Sequence, residues 1–147
     1  MCGRYTFTAP SDRVQQLFHV DASRTIIPRY NIAPTQASLI VREQLADQKP
    51  VRELVAAQWG LVPGWAKDPS IGSRMINARC ETVAEKPAYR AAFKYHRCLI
   101  PANGFYEWQT IGKSKQPFYI TMKDRDLFAF AGLYDVWERP EGYIESF

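Results

Sequence analysis

The chain opens Met1-Cys2-Gly3-Arg4, and a cysteine in second place is where one residue can offer two nucleophiles on adjacent carbons. An initiator methionine before a small residue is normally trimmed, which would leave Cys2 with a free α-amine beside its thiol. An α-amine, with a pKa of about 7.7–8.0, is partly neutral at physiological pH and can attack an aldehyde to give a Schiff base. The neighbouring thiolate then closes a five-membered thiazolidine ring on the imine carbon. Two residues on, Arg4 shares with Cys2 one face of an extended strand, where a guanidinium can lower the thiol pKa and hold a phosphate. A Met-Cys start alone is a weak sign, because most such thiols are inert, so its weight depends on what the fold places beside it.

Cys2 to Thr8 alternates as a strand, with Tyr5 and Phe7 opposite the thiol. Ser11 caps a short helix whose Val14, Leu17 and Phe18 share a face, and Arg29 to Pro34 reads as an irregular loop. Ala37 to Arg42 and Glu53 to Trp59 read as strands joined through a polar stretch from Glu43 to Pro50. The Gly- and Trp-rich loop Gly60 to Trp65 and a polar connection over 66–74 follow. Thr82 to Glu85 forms a capping box ahead of a second helix, roughly 88–95. Strands over 97–100, 105–108, 117–122 and 127–134 are joined by turns at Asn103-Gly104, Gly112 and 124–126. Glu141-Gly142 turns into a return strand, 143–147, in which the chain stops; an exposed aromatic edge there would suggest a piece of something longer. The pattern predicts an α+β fold, mainly antiparallel sheet with two or three short helices, in a single domain over 1–147.

Composition bounds the alternatives. The 147 residues, 46% of them hydrophobic and 14% aromatic, suffice for one core, and no run approaches the ~20 apolar residues of a membrane span. The first residues lack a secretory signal, which predicts a cytoplasmic protein. Cysteines at 2, 80 and 98 fit neither a disulfide framework nor a zinc site, so no metal or cofactor is expected; Cys80 and Cys98 are expected to be buried and inert. A formal net charge of +4 is compatible with nucleic acid.

Met1-Cys-Gly-Arg-Tyr5, Arg29-Tyr-Asn-Ile-Ala-Pro34, Trp59-Gly-Leu-Val-Pro-Gly-Trp65, Ile76-Asn-Ala-Arg-Cys-Glu-Thr82 and Gly104-Phe-Tyr-Glu-Trp108 occur in that order. Together they closely resemble the SRAP family, the SOS response-associated peptidase domain that forms DNA–protein crosslinks at abasic sites, and the likeness runs from residue 1 to about 137. The resemblance implies a barrel-like fold, Cys2 as covalent nucleophile, Asn77 hydrogen-bonding the opened sugar or Schiff base, and Glu107 shuttling protons. It further implies a DNA groove lined by Arg4, Asn31 and Arg79, with Pro34 and Trp65 near the bases flanking the lesion. The implied partner is single-stranded DNA bearing abasic sites, also at single-strand/double-strand junctions. A monomer is expected, nucleoid-associated in a bacterial or phage setting, with low turnover and lyase- or peptidase-like chemistry. The family's further histidine lies in a segment beyond residue 147; neither His19 nor His96 sits in such a motif, which puts reversal of the crosslink in doubt. The competing readings are a cysteine autopeptidase and a non-covalent single-stranded DNA-binding module.

Overall fold

A computed structural model describes residues 2–22, 25–124, 126–140 and 142–147. Ten strands and short helices follow one another in the order β1 (Arg4–Phe7), α1 (Ser11–Phe18), β2 (Arg29–Ile32), β3 (Ala37–Ala46), β4 (Lys49–Gln58), a 3₁₀ helix (Pro69–Arg74), α2 (Arg90–Tyr95), β5 (Arg97–Ala102), β6 (Gly104–Ile111), β7 (Ser114–Ile120), β8 (Phe128–Leu133), β9 (Asp135–Arg139) and β10 (Gly142–Ser146). They build a four-stranded antiparallel sheet in the order β2-β1-β6-β7 and a six-stranded sheet in the order β8-β5-β3-β4-β10-β9. The two form a half-barrel around one main core, which joins Tyr5, Phe7, Ile32, Ile40, Trp59, Cys98 and Phe147. The expected α+β class with few helices holds.

Several elements differ from the sequence-based expectation, each for a local reason. Arg29 to Ile32 is strand, not loop, because β1 supplies an antiparallel partner, with a bulge between the Tyr5–Ile32 and Phe7–Arg29 pairs. The polar stretch Glu43–Pro50 is mostly ladder: β3 and β4 pair from Ala37–Gln58 out to Ala46–Lys49, and only Asp47 and Gln48, both with positive φ, make the turn. A two-residue turn of that handedness matches the twist of the flanking strands, so the hairpin runs past its buried half into solvent. The connection over 66–74 contains the 3₁₀ helix, started by Pro69 and capped by Asp68, whose carboxylate accepts from Ser70 N–H at 2.8 Å.

Asn103-Gly104 is not a hairpin turn. It is the corner where the chain leaves the six-stranded sheet, as β5, and enters the four-stranded one, as β6. Asn103 holds that corner by accepting at Oδ1 from Thr8 N–H (2.7 Å), while its own N–H donates to the Thr6 carbonyl (2.9 Å). The C-terminal strand is not an edge either: β10 lies between β4, its parallel partner, and β9, and Phe147 is buried.

Candidate active site and nucleic-acid face

The alternation expected of the first strand is broken at one point that shapes the site. Tyr5 and Phe7 enter the core, but Thr6 on the opposite face is also buried. Tyr119 of β7 covers it: the Tyr119 hydroxyl and Thr6 Oγ1 lie 2.6 Å apart, and the ring rests on Gly104, where a Cβ would meet it at 2.5 Å. That close approach is open only to glycine.

Cys2 lies just ahead of β1 and is half-buried; its thiol donates to the Arg4 carbonyl at 3.2 Å. Asn77, in the loop after the 3₁₀ helix, donates from Nδ2 to the Cys2 carbonyl at 2.8 Å. Trp59 positions that loop by donating its indole N–H to Ile76 O at 2.8 Å, and Tyr89 reaches Asn77 O at 3.4 Å. Glu107 follows Tyr106, the β6 partner of Arg4, and is also half-buried. Cys2 and Asn77 both line a mainly apolar cavity of about 510 Å³, walled by Met75, Tyr89, Phe130 and Phe147 among others. Glu107 is not part of that wall, yet its charge reaches the thiol.

Burial pushes the Cys2 thiol above its ordinary pKa, hydrogen bonding to the Arg4 main chain offsets part of this, and Glu107's negative charge adds to the rise. The net shift is opposite to the lowering expected from the Arg4 guanidinium. Arg4 donates from Nη1 to Asn31 Oδ1 at 2.9 Å, tying β1 to β2.

Arg4 and Asn31 are therefore joined, with Pro34 half-buried in the turn after β2 and Arg79 exposed two residues past Asn77. Trp65 is exposed on the loop after β4. Cys80, expected to be buried, is exposed on the cavity rim because the segment after Asn77 is turn rather than strand, whereas Cys98 is buried as expected. Trp59 and Trp137 are core residues. His19 forms the left-handed cap of α1, and His96, at the end of α2, stacks on Tyr134 at 5.0 Å.

The sequence reading missed an aromatic group beside Arg4. Tyr106 pairs with Arg4 across β6–β1 and with Tyr119 across β6–β7, so all three side chains share one sheet face. The Tyr106 ring lies 5.0 Å from Tyr119 and 6.5 Å from Trp108, and its hydroxyl donates to Tyr30 O at 3.2 Å. The signal was the alternation of Tyr106 and Trp108 about Glu107, which gains meaning only once the strand partners are known.

Comparison with known proteins matches the family model "SOS response associated peptidase (SRAP)" to residues 1–147. The chain belongs to the SRAP family. This SRAP chain is 43% identical over 146 residues to the abasic site processing protein YoqW of Bacillus subtilis strain 168, covering 97% of itself and 63% of that relative. It is 35% identical over 140 residues to the abasic site processing protein HMCES of Xenopus tropicalis, covering 78% of itself and 42% of HMCES. Thus it spans less than two thirds of the length of these relatives. A crystal structure of a protein from Bacteroides thetaiotaomicron superimposes with a TM-score of 0.83 at 26% identity, over 99% of this chain and 66% of that one. Among the described residues, no helix is long and apolar enough to cross a membrane, and no three His, Cys, Asp or Glu residues group as metal ligands.

Proposed function

We propose that this SRAP chain handles abasic sites in single-stranded DNA, including those at junctions with duplex, and captures the lesion covalently through Cys2 after removal of Met1. The observation that carries the reading is the hydrogen bond from Asn77 to the Cys2 main chain, which ties together two residues that line one cavity. Two of the relatives are named as abasic site processing proteins, which supports the same substrate. The setting proposed is a monomer in the cytoplasm, at the nucleoid.

In this scheme the neutral α-amine of Cys2 adds to the ring-opened aldehyde carbon, giving a carbinolamine. A proton delivered to its hydroxyl lets water leave and forms the iminium. The thiol loses its proton and its sulfur attacks the same carbon, closing the thiazolidine with net release of one water. Glu107, near enough for its charge to act on the thiol, is the proposed donor and acceptor for these protons. Asn77 holds the main chain of Cys2 so that amine and thiol stay aimed at one carbon. Arg4, Asn31 and Arg79 hold phosphates, and Pro34 and Trp65 flank the neighbouring bases. Support for an autopeptidase is weaker, because neither His19 nor His96 lines the cavity that holds Cys2.

The test is a denaturing gel of the protein mixed with single-stranded DNA carrying one abasic site. A shifted band is expected with the native sequence and not with Cys2→Ser. If both leave the DNA unshifted, capture by Cys2 is refuted, and salt-sensitive binding alone would leave a non-covalent module.

A further inference from the structure

Trp65 stands out with 58% of its surface exposed, while the backbone on both sides of it is held unusually firmly. Three alternate residues of β9 do the holding. Asp135 accepts at Oδ2 from Gly64 N–H at 2.9 Å. Arg139 donates from Nη2 to the Gly64 carbonyl at 2.9 Å and to the Ala66 carbonyl at 3.4 Å. Trp137, buried against Val62 and Ala66, donates its indole N–H to the Ala66 carbonyl at 2.9 Å. The loop closes on itself through Ala66 N–H to Pro63 O at 2.8 Å. A Cβ at Gly64 would lie 3.1 Å from the Val136 carbonyl, so the loop sits directly on the strand. Residues 135, 137 and 139 project from the same side of a strand, which is why one short element can reach Gly64 N–H and the Gly64 and Ala66 carbonyls on either side of Trp65.

Asp135 is itself fixed. Its Oδ1 accepts from Val136 N–H at 2.9 Å and faces His96 Nδ1 at 3.4 Å. Arg139 is likewise engaged, with its guanidinium 5.8 Å from the Trp137 ring centroid and Nη1 on the Glu138 carbonyl. Neither side chain has the geometry of a free surface charge.

We propose that β9 is a positioning strand: Asp135, Trp137 and Arg139 lock the Gly64–Ala66 backbone so that the Trp65 indole is preset as a stacking platform for a nucleobase beside the lesion. The inference rests on the reading that the chain binds single-stranded DNA. A ring held by a mobile loop would lose conformational freedom on stacking, and presetting the backbone removes that cost before DNA arrives. The exposed Lys67, two residues on, adds a positive charge to the same loop, which suits a nucleotide better than an apolar surface.

The experiment uses a single-stranded oligonucleotide containing a tetrahydrofuran abasic analogue, which has no aldehyde and therefore reports binding without covalent capture. Affinity and the Trp65 component of the fluorescence, taken as the difference from Trp65→Phe, are measured for the native sequence, Asp135→Asn, Arg139→Ala and Arg139→Lys. DNA should quench the Trp65 component in the native protein. Asp135→Asn and Arg139→Ala should each weaken binding by roughly threefold to tenfold and reduce the quench, and Arg139→Lys should recover part of both. On a Trp65→Ala background the same substitutions should cost nothing further, because their effect passes through the ring. Equal losses with and without Trp65 would assign Arg139 a direct phosphate contact or the variants a general fold defect, and would overturn the proposal. So would an unquenched Trp65 in the native protein. Failure of the crosslinking gel with true abasic DNA would remove covalent capture while leaving this binding result standing.

Discussion

At the scale of single residues, burial raises the thiol pKa of Cys2 in the chain that still carries Met1. In the proposed chemistry the amine attacks first and sulfur second, because the iminium formed by the amine is the electrophile on which the ring closes. Glu107 contributes to that rise through its negative charge, so Glu107→Gln should move the thiol pKa down. Alkylation of Cys2 by iodoacetamide across pH, in a Met1-processed protein carrying Cys80→Ser to remove the other accessible thiol, should then show an earlier midpoint in the Glu107→Gln variant. An unchanged or later midpoint would separate Glu107 from the thiol. Asn77→Asp keeps the size of the side chain but sets an oxygen against the Cys2 carbonyl that Asn77 now bonds. Crosslink formation should slow by about tenfold or more, while global stability should fall by only about 1–2 kcal/mol; the rate is read on gels and the stability in urea. Both residues carried a sequence motif, but the contact between Asn77 and Cys2 joins positions 75 apart and could not be read from spacing.

At the scale of elements, the loops that carry Trp65 and Asn77 are held by close backbone packing as much as by side chains. Gly60 has φ +122°, and a Cβ there would lie 2.5 Å from the Gly72 carbonyl of the 3₁₀ helix. Gly60→Ala should therefore cost more than about 2 kcal/mol, read as a lowered urea midpoint, since both the conformation and the space forbid the methyl. On the other sheet, Tyr119→Phe keeps the ring over Gly104 and removes only the contact with Thr6 Oγ1. Its expected cost is about 1 kcal/mol in the same assay. Strand β7 is exposed along its whole length, so little surrounding packing amplifies the loss. Most strands were legible from alternation and turn residues. The extended β3–β4 hairpin was not, because polar residues on solvent-exposed ladder carry no hydrophobic period, and neither was β2, whose partner lies more than twenty residues earlier.

At the scale of the whole molecule, the core that unites the two sheets also sets its alkaline limit. Burial holds both Tyr5 and Cys98 up to about 12, above their ordinary values. Groups whose folded pKa is raised stabilise fully below their unfolded pKa, and that contribution is lost as pH climbs through the interval. Denaturation midpoints should therefore begin to fall near pH 9, where the unfolded Cys98 thiol ionises, and continue falling toward pH 12. Cys98→Ala should flatten the first part of that decline, at the cost of a small cavity at neutral pH. The sequence by itself determined the Met-Cys start, the motif order that marks the SRAP family and the predominance of strand, because these follow from residue type, local period and ordered motifs. Tertiary structure decided the rest. It bonded Arg4 to Asn31, raised the thiol pKa through burial, exposed Cys80, placed β10 inside a sheet and set β9 against the loop of Trp65. Each of these depends on which distant strand lies alongside, and strand pairing is settled by the packing of the whole core, not by any local stretch of chain.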